Sequence, residues 1–355
     1  MPWLLGPANA GSRTHIYGQQ AKEAVERARE QVAQTLGGKS DEIVFTSGAT
    51  ESNNLAIVSL AEWGKEVGRL HVLSTAIEHK AVLEPLERLR TWGFDVELLP
   101  VTPGGYVEPE EVKRRLRSDT LLVSIMHANN ETGVLQPVEQ VGRLLGGTPT
   151  LFHIDAAQTY GKEVDILERV VCDFLSISGH KIYGPQGIGA LKISKKKLDR
   201  RRMKALVVGG GQERGFRSGT VPVAPVVGLG KAAELAAAEY GKRREHAKRL
   251  KTAFLAGLSG VEHQVNGDTE RSQSHVVNVS FLGVDSEALM VELRDIVAIS
   301  NGSACTSSQY GPSHVLMAMG LSEERIESAV RLSWGVGVDS IPAEAFVEAV
   351  STLRV

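Results

Sequence analysis

The sequence has 355 residues, with 40 Lys and Arg against 42 Asp and Glu for a formal net charge of −2; this is enough chain for a large domain with a smaller companion, and it carries no global field that would draw the protein to nucleic acid or a membrane surface. Only two cysteines occur, Cys172 and Cys305, far apart and without a CxxC pair, which argues against a disulfide framework or a zinc cluster and fits a reducing compartment. No apolar run approaches membrane-spanning length, and Met1 to Gly6 shows neither the basic region nor the cleavage site of a signal peptide, so a soluble, cytoplasmic protein is expected.

Along the chain, Ala21, Val25, Ala28, Val32 and Leu36 recur at helical spacing, and the β-branched run Ile43 to Thr46 then predicts a strand. A strand at His71 to Thr75 precedes a helix marked by Val82, Leu86 and Leu89. Further strands are expected at Val96 to Leu99, Leu121 to Ile125, Leu151 to Ile154, Phe174 to Ser178 and Ile188 to Ile193. Strands alternating with amphipathic helices are the signature of βαβ units and a largely parallel sheet. From Val223 to about Leu258 a stretch that is first Ala-rich and then Lys/Arg-rich reads as one long helix, and Val276 to Phe281 opens a new set of strands and helices. A domain boundary falls inside that helix near Tyr240, giving a large domain over 1–240 and a small one over 241–355. The basic run KKKLDRRRMK, Lys195 to Lys204, reads as a solvated face rather than a patch for an acidic partner.

Certain segments combine residue types that suit chemistry. IVFTSGATES, Ile43 to Ser52, gives a strand, a turn of small residues and a helix start, where backbone N–H groups and the helix N-terminus favour a phosphate; Ser-Gly-Ala-Thr is equally an ordinary N-cap sequence. In HIDAAQ, His153 to Gln158, a strand end delivers an acid and an amide to the edge where parallel sheets bind ligands. An Asp there can keep a pyridine nitrogen protonated, or can merely cap a helix. SISGHKIYGPQGIG, Ser176 to Gly189, sets Lys181 in a Gly/Ser turn between apolar strands, where partial desolvation would free its amine for a Schiff base. NGSACTSSQYGPSHVL, Asn301 to Leu316, places Cys305 among small polar residues, as a reactive thiol would be, whereas Cys172 in VVCDFLSIS reads as a core residue. His79, His153 and His180 raise the question of a metal, but no HExxH or paired ligand spacing supports one, and none is expected.

Taken in order, SGATESNN, EHKAV, SIMHANNETG, HIDAAQ, SGHKIYGP, GGGQERGFRSGT and NGSACTSS make the chain resemble the cysteine desulfurases of the NifS/IscS type, in the class V aminotransferase family, from about Asn9 to Trp334. The resemblance implies a fold-type I α/β architecture: a large domain whose mostly parallel sheet is sandwiched by helices, a smaller α+β C-terminal domain, and a homodimer. It implies pyridoxal 5′-phosphate as cofactor, with Lys181 forming the Schiff base, Asp155 on the pyridine nitrogen, Gln158 on the phenolic oxygen and His79 stacked on the ring. Asn130 would lie near cofactor and substrate. Ala49, Thr50, Ser178 and His180 would hold the phosphate, joined by Thr220 from across the dimer. Arg331 would clamp the carboxylate of L-cysteine, and Cys305 would take its sulfur as a persulfide for an acceptor protein.

The sequence departs from that family at both ends. The strand and Asp-x-x-Ala-Thr-Thr segment that members carry well before the Ser-x-x-His at Ser12 to His15 is absent, so the expectation is a start internal to a longer gene product or a shortened variant. After Arg331 there is no long tail of the kind that engages an iron–sulfur scaffold. The ANAGSRTH opening and AIEHKAVLEPLE look like the desulfurases of DNA phosphorothioation (Dnd) systems, which pass sulfur to partner proteins and not to DNA directly. The alternatives are a selenocysteine lyase or other pyridoxal-phosphate lyase or aminotransferase, and a non-catalytic adaptor that keeps the fold.

Overall fold

The computed structural model describes residues 2–6, 9–12, 14–301 and 311–354. Ten strands are described: β1 (Ile43–Thr46), β2 (His71–Thr75), β3 (Asp95–Leu99), β4 (Thr120–Met126), β5 (Leu151–Asp155), β6 (Phe174–Ser178), β7 (Gly189–Ile193), β8 (Gln264–Val265), β9 (Val276–Ser280) and β10 (Ala329–Ser333). The first seven form one sheet in the order β1-β7-β6-β5-β4-β2-β3, and the last three a small sheet in the order β10-β9-β8.

In the large sheet the neighbours from β6 through β5, β4 and β2 to β3 run parallel, while β7 runs antiparallel to both β6 and β1. Two reversals restore direction, so β1 points the same way as β6. Side chains alternate between two cores: Phe45, Phe152, Leu175 and Ala190 face the one covered by helices Ile16–Gln34 and Val138–Leu145, whereas Val44, Leu151, Phe174 and Leu191 face the one covered by Ala49–Val58 and Lys80–Thr91. With both faces covered, every residue of β1, β2, β4, β5 and β6 is buried, which is why these strands read as continuous apolar runs instead of alternating ones.

Helix Val223–Gly257 spans 35 residues. Its first half gives Val226, Leu229, Ala233 and Ala236 to the core of the large sheet. Its second half gives Ala247, Leu250 and Phe254 to a separate core under the small sheet, where Phe254 meets the Phe346 ring edge-on at 5.3 Å. Charge in the basic run is locally balanced: Lys195 pairs with Asp41, Arg202 with Glu66 at 3.1 Å and Lys204 with Glu62 at 3.2 Å. No helix among the described residues is long and apolar enough to cross a membrane.

Candidate active site

Because β1, β2, β4, β5 and β6 run in one direction, their carboxyl ends share an edge. There a cleft of about 580 Å³ collects Ala49, Thr50, His79, Asn130, Asp155, Gln158, Ser178, His180 and Lys181, and Arg331 of the small sheet closes it. A crevice beyond the carboxyl ends of parallel strands is where such sheets bind ligands, since the loops there are free of the ladder.

Asp155 is the last residue of β5 and is 6% exposed. Its Oδ1 accepts the Ala157 N–H at 2.9 Å and its Oδ2 accepts the Asn53 amide at 2.7 Å. Burial pushes its carboxyl above the usual range, while these two donors and the nearby His79 and Lys181 pull it back down. The amide oxygen of Asn53, on the same side chain as that donor, is also buried and has no protein partner among the described residues. Asn53 belongs to helix Ala49–Val58, and sequence reasoning passed it over.

One corner of the cleft is made by Ser47 and Gly48 leading into that helix. Gly48 has φ 155°, and a Cβ built there would meet nothing within 4 Å, so open space adjoins the turn. Its neighbour Gly189 is needed for contact instead: a Cβ there would lie 2.5 Å from the Ile177 carbonyl oxygen and 2.7 Å from Gly48 Cα. The first N–H groups of a 10-residue helix thus stand beside Ser178, whose hydroxyl lies 3.0 Å from His180 Nδ1. Glu51 would repel an anion here, but it accepts the Ser47 N–H at 2.8 Å and is paired with Arg217 at 3.0 Å. Lys181 follows in the tight turn Gly179–Ile182, which Tyr183 ends in the left-handed region at φ 67°.

The opposite wall begins at His79, which caps helix Lys80–Thr91 by accepting the Ala81 N–H on Nδ1 at 3.1 Å. An Nδ1 that accepts leaves Nε2 as the ring's N–H donor. Behind it Glu78 is fully buried, its carboxyl pushed up to about 8 by burial, and it accepts Thr75 Oγ1 at 2.7 Å and the Met126 N–H at 2.9 Å. Glu78 thereby ties the end of β2 to the end of β4, a role that sequence reasoning did not assign. Arg331 donates from Nη1 to the Asn130 carbonyl at 3.1 Å, and its backbone bridges to Ser300, donating at 2.6 Å and accepting at 3.2 Å. Beyond residue 310, Ser313 donates to the buried Glu131 at 2.5 Å and His314 Nε2 lies 2.9 Å from the Glu78 carbonyl. The chain on either side of 302–310 is therefore fastened near the cleft wall. Cys305 itself lies outside the described residues.

Thr220 is exposed and does not line the cleft of its own chain. Cys172 is half-buried against the main core, not wholly within it, because it precedes β6 instead of standing in the strand; its thiol is pushed up to about 12 by burial and is not a thiolate at neutral pH. His153 is enclosed in the sheet between Ser124 Oγ at 2.8 Å and Ser176 Oγ at 3.0 Å. It is remote in role from His79 and His180, and no group of three or more potential metal ligands occurs among the described residues.

This sheet, edge and lysine turn define a pyridoxal-phosphate enzyme of the aminotransferase type: the chain belongs to the class-V aminotransferase family, matched over residues 4–341. Over 328 residues it is 45% identical to the cysteine desulfurase IscS of Vibrio vulnificus, spanning 92% of this chain and 80% of that protein. It is similar to the crystal structure of DndA from Streptomyces lividans, with 48% identity, 92% of each chain covered and a TM-score of 0.83. It is similar also to a structure of SspA in complex with cysteine, with 37% identity, coverage of 94% and 93% and a TM-score of 0.80. Pyridoxal 5′-phosphate is the cofactor of this family, and the donor set fits it, with a buried carboxylate for a ring nitrogen, an amine for its aldehyde and a helix start with Ser178 and His180 for its phosphate.

Proposed function

We propose that this protein removes sulfur from L-cysteine, releasing L-alanine, and holds the sulfur as a persulfide on Cys305 for transfer to an acceptor protein. The observation that supports this best is the convergence of Lys181, Asp155, His79 and Arg331 on one cleft in a chain that is 45% identical to a cysteine desulfurase. Lys181 would hold pyridoxal phosphate, Asp155 would face its ring nitrogen, Gln158 its phenolic oxygen, and Ala49, Thr50, Ser178 and His180 its phosphate. When bound, the cofactor supplies an electron sink for carbanion chemistry at the substrate.

The remaining work falls to the chain. Arg331 offers a guanidinium suited to bidentate capture of the substrate carboxylate, and its bond to the Asn130 carbonyl aims it. His79, held by the Ala81 N–H, is fixed in orientation as a wall of the cleft. Cys305 as thiolate attacks the substrate sulfur; the new S–S bond forms as the carbon–sulfur bond breaks, and a proton completes alanine. The small domain, which we take to begin near residue 241, contributes both Arg331 and Cys305. A homodimer in the cytoplasm and an acceptor protein of the DNA-phosphorothioation type, favoured by the likeness to DndA, complete this reading.

The test is to incubate the cofactor-loaded protein with L-cysteine, quantify alanine and locate added sulfur by mass spectrometry. Cys305→Ser should keep the cofactor's visible absorbance yet form no persulfide, and Cys172→Ser should transfer sulfur as the parent does. Sulfur on Cys172, or undiminished transfer by Cys305→Ser, defeats the mechanism. A non-catalytic adaptor would show no cofactor absorbance, and a selenocysteine lyase would leave Cys305 unmodified with L-cysteine.

A further inference from the structure

The cleft draws its two proposed binding groups from different parts of the chain: Lys181 sits in the turn Gly179–Ile182 beside the large sheet, and Arg331 in β10 of the small one. A direct hydrogen bond joins their surroundings. Tyr183, just after Lys181, accepts the Val336 N–H on its hydroxyl at 2.9 Å, and Val336 follows closely on Arg331 at the end of β10. Both residues line a second cavity, of about 370 Å³, beside helix Val223–Gly257.

The backbone of Tyr183 is left-handed, at φ 67° and ψ 18°, a region that disfavours any side chain and persists only where the surroundings impose it. Packing does not impose it, because Tyr183 is 57% exposed and borders the open cavity, with the Arg243 guanidinium over its ring at 5.4 Å. The approach to the other segment is close. A Cβ on Gly335 would stand 2.6 Å from the Tyr183 hydroxyl, so glycine there is what lets the hydroxyl reach the Val336 N–H. Back along the chain, Trp334 donates its N–H to the His275 carbonyl at 3.0 Å and its indole N–H to the Ala247 carbonyl at 3.2 Å, and Leu332 is buried in the core under the small sheet. Val336 and Arg331 therefore move as one body, and with a cavity beside it the Tyr183 bond, more than packing, spaces that body from the lysine turn.

We propose that Tyr183 is a positioning residue whose hydroxyl, through the Val336 N–H, sets the distance between Lys181 and Arg331. The inference deepens the proposed function and rests on Lys181 bearing the cofactor and Arg331 binding the substrate carboxylate. An α-amino acid carries its amine and carboxylate on one carbon, so the two groups that hold it must keep a fixed spacing.

The experiment titrates the cofactor-loaded protein with L-alanine, the proposed product, which has no sulfur to transfer, and follows the visible absorbance. Tyr183→Phe keeps the ring and removes the acceptor. It should raise the Kd for L-alanine and the KM for L-cysteine roughly three- to tenfold, the effect of losing one hydrogen bond, with kcat and the cofactor band as in the parent. Gly335→Ala reaches the same bond from the other side and should act in the same direction. In an Arg331→Ala background, Tyr183→Phe should lower kcat/KM no further, because its effect passes through Arg331. The proposal is overturned if either variant binds L-alanine as the parent does, if the loss multiplies that of Arg331→Ala, or if it falls on kcat or cofactor retention instead. Failure of the underlying reading looks different: Arg331→Ala would then bind L-alanine like the parent, or Lys181→Ala would retain the band.

Discussion

At the scale of single residues, Asp155 shows how a site is tuned by partners distant in sequence. A carboxylate that is to keep a ring nitrogen protonated must itself stay ionised, and burial alone works against that. The Asn53 amide at 2.7 Å and the Ala157 N–H at 2.9 Å offset the burial. Hydrogen bonds to charged groups contribute about 1.5–3 kcal/mol, so Asn53→Ala should lower activity on L-cysteine by roughly tenfold or more. Removing a donor to the charged form raises the carboxyl's pKa, so the acid limb of the pH–rate profile should move to higher pH. An unchanged acid limb in Asn53→Ala would show that Asn53 only fills space. Asn53 could not be picked out from SGATESNN, because its value comes from a strand end 102 residues away. Asp155 and Lys181 were legible because each ends a strand or sits in a glycine turn within a recognisable local sequence. Glu78 was legible only as part of EHKAV; its burial against β4 is a tertiary fact.

At the scale of elements, the segment GGGQERGFRSGT is fixed to the sheet by a buried ion pair. Arg29 of helix Ile16–Gln34 makes two bonds of 2.7 Å to Glu213, which also accepts the Phe45 N–H of β1 at 2.7 Å. Glu213 and Arg214 both adopt left-handed backbone, at φ 47° and 57°, a conformation that the pair holds in place. Losing one partner of a buried pair leaves an uncompensated charge, at a cost of about 3–5 kcal/mol. Glu213→Ala should therefore be destabilised by about that much in urea unfolding, and Arg29→Met with Glu213→Leu should be milder than the sum of the two single changes. Strict additivity would mean that the groups are not coupled. The helices were readable from their 3.6-residue periods and the central strands as short apolar runs, with strand ends within a residue or so, because both faces of the sheet are covered. Strand β8 was not, since Gln264 and Val265 are half-buried and two residues carry no period. Nor does composition reveal that β7 runs against its neighbours; β7 looks like the parallel strands because it is buried in the same two cores.

At the scale of the whole molecule, the proposed role of Thr220 in holding the cofactor phosphate can be assigned to one chain or the other of a dimer by experiment. Two observations pull apart. Arg217, three residues earlier, pairs with Glu51 of its own chain at 3.0 Å, which brings the segment toward the start of helix Ala49–Val58 in cis. Yet Thr220 is exposed and outside that chain's cleft, with Val207 and Val208 also exposed nearby, as expected of a segment that meets a second copy. Thr220→Ala should retain the cofactor less well, since a hydroxyl bond to a phosphate contributes about 1.5–3 kcal/mol. Mixing chains decides its origin. A dimer of one Lys181→Ala chain and one Thr220→Ala chain holds a single competent lysine, in the Thr220→Ala chain. If Thr220 acts across the interface, that cleft receives an intact threonine from the Lys181→Ala partner, and mixed dimers should regain parental cofactor retention at half the sites. If it acts within its own chain, the same cleft lacks the hydroxyl and mixing restores nothing. Titrating the purified mixed dimer with pyridoxal phosphate, and comparing its retained absorbance with the Thr220→Ala homodimer, separates the two, and equal retention would place Thr220 in cis.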